Sequence, residues 1–237
     1  MILSITLPST CTNAGLIALT FDDGPTEHTK KILDLAKKKK VVLSFHFTVH
    51  MLSSGEHRGI YKRAVKEGHT VGLRTTPNRN YGKLNSDVIE GDITKQIIAI
   101  NKVTGKNIKF ARSPVEKGKV NQDIYNTFLE NDIIQTSYNY GYPEKNKKIK
   151  DYEFTISTAS PDIDSFIVSL YETVKLSDLK KMIDIGREYG YKFVNLDQCL
   201  GDYKPGKINA KGSKMRSGGA SIDRLLLPMI IFMFYAI

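Results

Sequence analysis

Asp22 and Asp23 stand side by side at the end of an apolar run, Leu16-Ile17-Ala18-Leu19-Thr20-Phe21, and a Gly24-Pro25 turn follows them. A carboxylate delivered by the end of a buried strand suits a general base, and a second one suits a metal ligand. Two carboxylates this close raise each other's proton affinity, so the pair calls for a cation. A metal centre would ordinarily recruit histidines as well. His46 and His50 are four residues apart. On one extended strand they would share a face but lie about 13 Å apart, too far to hold one ion. A core or surface role therefore suits them better. The Tyr138, Tyr140 and Tyr142 series can line the mouth of a groove or serve as ordinary strand and loop residues.

The surrounding chain alternates between strand-like and helix-like segments. Apolar runs at 16–22, 41–49, 70–73, 108–111, 133–138, 166–170 and 193–196 read as strands. Helical periodicity occupies 27–38, 60–67, 87–103, 123–130 and 179–189. In the third of these helices Ile89, Ile93, Ile97 and Ile100 fall on one face at steps of four and three. Ser86 can cap its start, and Gly105 lies where it should stop. This alternation predicts an α/β fold: a parallel sheet closed into a (β/α) barrel or left open and doubly wound.

With 237 residues, 41% hydrophobic and 25% charged, the chain suits one sizeable globular domain. Its formal net charge of +10 is the unusual feature. Lys37 to Lys40, with Lys145, Lys147 and Lys148, contribute to a basic surface. No nucleic-acid motif accompanies the charge, so nucleic acid is not an expected partner. Residues 1–10 read as a remnant signal segment, and 11–206 as the folded domain. Residues 207–224 form a basic linker that includes the small-residue run Ser217-Gly218-Gly219-Ala220. The apolar segment 225–237 follows; as a helix it would rise about 20 Å, short of a ~30 Å hydrocarbon core. Small residues, a short polar spacer and an apolar end read as a GPI-anchor signal with attachment at Ser217. The expected location is the outer face of the plasma membrane or the cell wall, with a lipid anchor as the link to the membrane.

Thr20-Phe21-Asp22-Asp23-Gly24-Pro25 resembles the opening motif of the polysaccharide deacetylases (carbohydrate esterase family 4), the chitin deacetylase branch in particular. Gly68-His69-Thr70-Val71-Gly72, Arg112-Ser113-Pro114 and Cys199-Leu200-Gly201-Asp202 extend the resemblance across 11–202. It implies a single-domain distorted (β/α) barrel that removes acetyl groups from N-acetylglucosamine polymers with one divalent metal. Asp22 then matches the base, Asp23 a metal ligand, Arg112 the residue that orients the base, and the backbone N–H of Val115 the oxyanion position. Cys11 and Cys199 match positions that the chitin deacetylases join as a disulfide, which implies an oxidising compartment.

The same resemblance exposes departures. Arg74 and Asn78 stand where the two metal-binding histidines are expected, Tyr171 where the acid histidine is expected, and Gln135 and Asn139 where acidic residues are expected. A zinc-type site uses three protein ligands and an open position, and a guanidinium neither ligates nor loses its proton. Arg74 should instead occupy the metal's place, within salt-bridge distance of Asp23 or Asp22. Tyrosine titrates near 10 and substitutes poorly for a histidine cycling near neutrality. The expectation is a cell-surface pseudoenzyme without a cofactor that binds or organises chitin or another surface polysaccharide. One alternative is an active N-deacetylase with zinc or cobalt, using Asp22 as base and Asp23 as ligand. A second is a structural surface protein that binds no sugar.

Overall fold

A computed structural model of the chain describes residues 5–114, 120–142 and 148–203. Val115, Ser217 and the segments 207–224 and 225–237 lie outside the described residues. Among the described residues no helix is long and apolar enough to cross a membrane.

Among the described residues eight parallel strands form one sheet: β1 (Leu16–Gly24), β2 (Ser44–Phe47), β3 (Thr70–Arg74), β4 (Phe110–Arg112), β5 (Ile134–Gln135), β6 (Tyr140–Tyr142), β7 (Phe166–Tyr171) and β8 (Lys192–Val194). The order is β5-β4-β3-β2-β1-β7-β6, with β8 paired to β1. β1 is therefore central. It pairs β7 through Ile17 to Asp22, β8 through Leu16 to Ala18 and β2 from Thr20 onward. This is the distorted barrel that the resemblance implies, and it decides between the closed and open sheets that the alternation left open.

The described residues also form seven α-helices that cover the sheet: α1 (Glu27–Lys39), α2 (Gly55–Lys66), α3 (Ser86–Thr104), α4 (Gln122–Glu130), α5 (Ile149–Thr158), α6 (Leu176–Glu188) and the short α7 (Leu196–Cys199). Parallel strands need these crossovers, and helices on the outside let the strands be apolar on both faces. Ile89, Ile93, Ile97 and Ile100 of α3 are all buried, as their spacing requires. Its cap, however, is Asn85, whose side chain accepts from Val88 N–H; Ser86 is already helical.

Three expectations about elements need correction. The strand expected over 41–49 stops at Phe47, and Val49–Ser53 forms a 3-10 turn. His46 is thus buried on β2 while His50 is exposed in the turn, so the two share no strand face. The strand expected over 193–196 ends at Val194, because Asn195 caps α7 through Gln198 N–H. Tyr140 and Tyr142 are only 6% exposed, and Tyr138 alone, at 40%, reaches the surface.

His69, ahead of β3, accepts the Leu43 N–H at 2.9 Å through Nδ1 and packs edge-on against Phe45. Burial, the dominant cause, lowers its pKa to about 4. Burial lowers that of His46 to about 4 as well, with the Arg112 charge adding to the effect. Both rings are therefore neutral in the folded protein at pH 6.5, whereas the unfolded chain takes up protons below that pH. Stability is full above about pH 6.5 and falls as the pH drops toward 4. For His69 the loss is on the order of 3 kcal/mol when complete. Urea titrations at pH 7, 5 and 4 should show the decline, and His69→Asn should remove the His69 share of it, leaving that of His46. An unchanged midpoint across that range would contradict the assignment.

Candidate functional site

The site gathers at the C-terminal ends of β1, β3, β4 and β7. Neighbouring residues on a regular strand face opposite sides. Here the β1–β2 register shifts between Asp22 and Gly24, and Asp23 takes a left-handed φ of 67°. Aspartate tolerates that conformation better than most residues. Asp22 consequently points into the barrel while Asp23 sits at its rim, 4% exposed against 35% by side chain. Gly24 follows: a Cβ there would meet Glu172 Oε1 at 2.0 Å, so the Glu172 carboxylate would have to move away from Thr26 and Thr29.

Asp22 is held from several sides. Arg112 donates from Nη1 to Asp22 Oδ1 at 3.0 Å, and to Thr20 Oγ1 at 2.8 Å. Its Nη2 donates to the Ser137 carbonyl at 3.1 Å, and the guanidinium lies 5.6 Å from the centre of the Tyr138 ring. His46 Nδ1 is 3.1 Å from Asp22 Oδ1, and its Nε2 is 3.2 Å from Thr136 Oγ1. Hydrogen bonding to an ionised carboxylate assigns the proton to Nδ1, and the single Thr136 hydroxyl proton is shared between Nε2 and the Ala111 carbonyl, each 3.2 Å away. Ser169 Oγ donates to Oδ2 at 3.4 Å. Burial alone would raise the Asp22 pKa, but the Arg112 charge and the His46 hydrogen bond outweigh it and hold the carboxyl well below the usual range. Asp22 is therefore an anion at every working pH. A base with so low a pKa has little drive to take a proton near neutrality.

Asp23 meets Arg74. The Arg74 Nε donates to Asp23 Oδ1 at 2.9 Å, and the Arg74 side chain is 12% exposed. Asn78, by contrast, is exposed on the loop after β3, with a left-handed φ of 62°. Among the described hydrogen bonds and ion pairs it makes none to Asp23 or Arg74. Tyr171 is opposite Asp22 in the β1–β7 register and 45% exposed. Burial and then the Asp23 charge push its pKa up, so it stands protonated as a donor at neutral pH.

The donor set does not fit a divalent ion. Asp23 offers one carboxylate, but a guanidinium occupies it, and Asn78 stays outside. Among the described residues no group of three or more His, Cys, Asp or Glu gathers as a metal centre. Cys11 and Cys199 form a disulfide at the opposite end of the barrel, joining residues 188 apart. Gln135 donates to Ser113 Oγ at 2.6 Å, and Asn139 bonds the backbone of Ser165, just before β7, and of Ile167 within it; neither bonds Asp22 or Asp23.

Sequence reasoning overlooked His46, Thr20 and Ser169 as partners of the Asp22 network. The only available signal was the polar residue in an otherwise apolar Phe45-His46-Phe47 strand. Its ring finds room because Gly72 has no side chain: a Cβ there would lie 3.3 Å from His46 Cδ2 and 2.4 Å from the Phe110 carbonyl.

A parallel barrel whose central strand brings paired carboxylates to its C-terminal end has the frame on which barrel enzymes build their sites. The polysaccharide deacetylase family model matches residues 9–141, more than half of the chain, and the chain belongs to that family. A chitin deacetylase of Colletotrichum lindemuthianum is 26% identical over 207 residues, spanning 81% of this chain and 82% of that protein. The solved structure of the chitin deacetylase from that fungus shares the fold with a TM-score of 0.74, at 23% identity over 83% of this chain and 92% of its own. A peptidoglycan-N-acetylglucosamine deacetylase of Bacillus cereus is 35% identical over 126 residues, 53% of this chain and 45% of that protein. A family 4 pseudoenzyme from Bacillus anthracis has the same fold, with a TM-score of 0.70 at 20% identity over 84% of this chain and 70% of its own.

Proposed function

We propose that this chain is a catalytically inactive polysaccharide deacetylase that holds a neutral polysaccharide, such as chitin, at the C-terminal end of its barrel. The Arg74–Asp23 ion pair carries this reading. Arg74 brings a fixed positive charge to the carboxylate that would bind a metal. At ~4 Å a dication and a guanidinium repel by several kcal/mol even at an effective dielectric near 20. Asp22 and Asp23 balance Arg74 and Arg112, so the site favours a neutral ligand. The +10 chain as a whole disfavours cationic, deacetylated polymers. Tyr138 and Tyr171, 40% and 45% exposed, offer ring faces and a hydroxyl donor to a sugar chain. The small-residue run at Ser217 and the apolar end support a cell-surface location through a lipid anchor.

The active N-deacetylase remains the second reading, because the Asp22–Arg112 pair keeps the geometry of an oriented base. Metal analysis and acetate release discriminate the two. The purified protein should hold no stoichiometric zinc or cobalt and release no acetate from chitin oligomers. The variant Arg74→His frees Asp23 of its guanidinium and should gain measurable metal binding with little turnover, since the Tyr171 hydroxyl, its pKa pushed up by burial, gives up a proton poorly. One equivalent of metal in the unmodified protein, with metal-dependent acetate release, would overturn the first reading.

A further inference from the structure

The end of the barrel where the strands begin, opposite the carboxylates, carries a second feature. Two cavities lie there and share His69 as a wall. One, of about 280 Å³, is lined by residues that include Thr70, Lys106, Asn107, Lys109 and Asp197. The other, of about 360 Å³, is lined by Lys37, Lys40 and Glu67, with apolar Ala36, Val41 and Val42 at its base.

The two carboxylates in this groove are already engaged. Asp197 pairs with Lys109 at 3.3 Å and accepts from Thr70 Oγ1 at 2.6 Å. Glu67 pairs with Arg63 at 2.8 Å. Lys37, Lys40 and Lys106 are exposed and have no ion-pair partner among the described residues. The groove is therefore positive after internal neutralisation.

Lysines commonly close helices, where they complement the dipole. That accounts for Lys37 and for Lys66 at the end of α2. It does not account for Lys106 and Lys109, which lie beyond the Gly105 cap of α3. Nor does it account for Lys40, which occupies the left-handed cap of α1 with φ of 52°. Glycine or asparagine is the usual occupant there, so a lysine adopts this conformation at a cost.

We propose that this groove binds an acidic polysaccharide, with successive anionic sugar units seated between Lys37 and Lys40 in one cavity and against Lys106 in the other. Two depressions in a row suit a linear polymer, whereas a flat bilayer surface would leave both unfilled. The site is separate from the carboxylate end, so its occupancy is independent of chitin binding there.

Binding of the full chain to polygalacturonate oligomers tests the proposal. Affinity should fall steeply from about 50 to about 500 mM salt as the lysine charges are screened. The variant Lys37→Gln, Lys40→Gln, Lys106→Gln should lose about tenfold or more in affinity, with its melting temperature and chitin-oligomer binding unchanged. A second variant with the same change in net charge, Lys83→Gln, Lys95→Gln, Lys150→Gln, should keep its affinity. Equal loss in both variants would assign the effect to net charge and overturn the site. No binding of the wild-type chain, or tighter association with phosphatidylserine vesicles than with the polymer, would overturn it too.

Discussion

Removing the Cys11–Cys199 bridge should lower the unfolding free energy by about 5 kcal/mol, the value the chain-entropy model gives for a loop closed over 188 residues. The bridge ties the segment before β1 to α7 after β8, so it closes nearly the whole domain on itself. Its two cysteines are 2% and 0% exposed and pack with Ala18, Phe110, Ile134, Ile167 and Leu196. Thr12 bonds the Cys199 carbonyl through both N–H and Oγ1, at 2.9 and 3.1 Å, which keeps the ends registered without the bridge. The expected effect is therefore a lower denaturation midpoint with the same fold. Cys11→Ala, Cys199→Ala compared with the oxidised protein in urea gives the measurement. Unfolding free energies that differ by less than about 1 kcal/mol would show that the unfolded chain gains little freedom when the bridge is lost.

Breaking the Asp22–Arg112 pair should cost about 3–5 kcal/mol, because either partner left alone is an uncompensated buried charge. Both side chains are 4% exposed. Arg112→Met leaves Asp22 with His46 and Ser169, and burial then drives its pKa upward. Asp22→Asn leaves the guanidinium facing neutral partners, with its Nε already lacking a hydrogen bond. The double variant Asp22→Asn, Arg112→Met removes both charges and should recover part of the loss, so the two changes are strongly non-additive. Urea denaturation of the four proteins of this cycle reads the coupling directly. Strict additivity would show that the pair contributes nothing as a pair. The consequence for function is that Asp22 and Arg112 act as a folding element of the barrel whether or not chemistry occurs there, so their presence alone does not diagnose activity.

Much of the scaffold is written locally. The apolar run before Asp22 specifies β1, and four isoleucines at steps of four and three specify the buried face of α3, because burial follows the period of the backbone. The resemblance carried by the hexapeptide and the later motifs placed the barrel and paired Cys11 with Cys199. Other elements left weak local signals. α5 buries only Tyr152 and Ile156, and its polar remainder gives little amphipathic pattern. β6 is three residues long, too short for alternation to register.

The chemistry of the site depended on tertiary structure. Two adjacent aspartates on an even strand would face apart; a register shift against β2, invisible in the residues themselves, lets one enter the barrel while the other stays at the rim. His46 partners Asp22 because the two are paired across β1 and β2, a neighbour relation set by strand order. Arg74 and Asp23 are 51 residues apart, and only the parallel packing of β1, β2 and β3 brings them to 2.9 Å. Residue types fixed which groups could carry charge; the sheet decided which charges met, since Coulomb attraction and hydrogen bonding act over a few ångströms of space and take no account of distance along the chain.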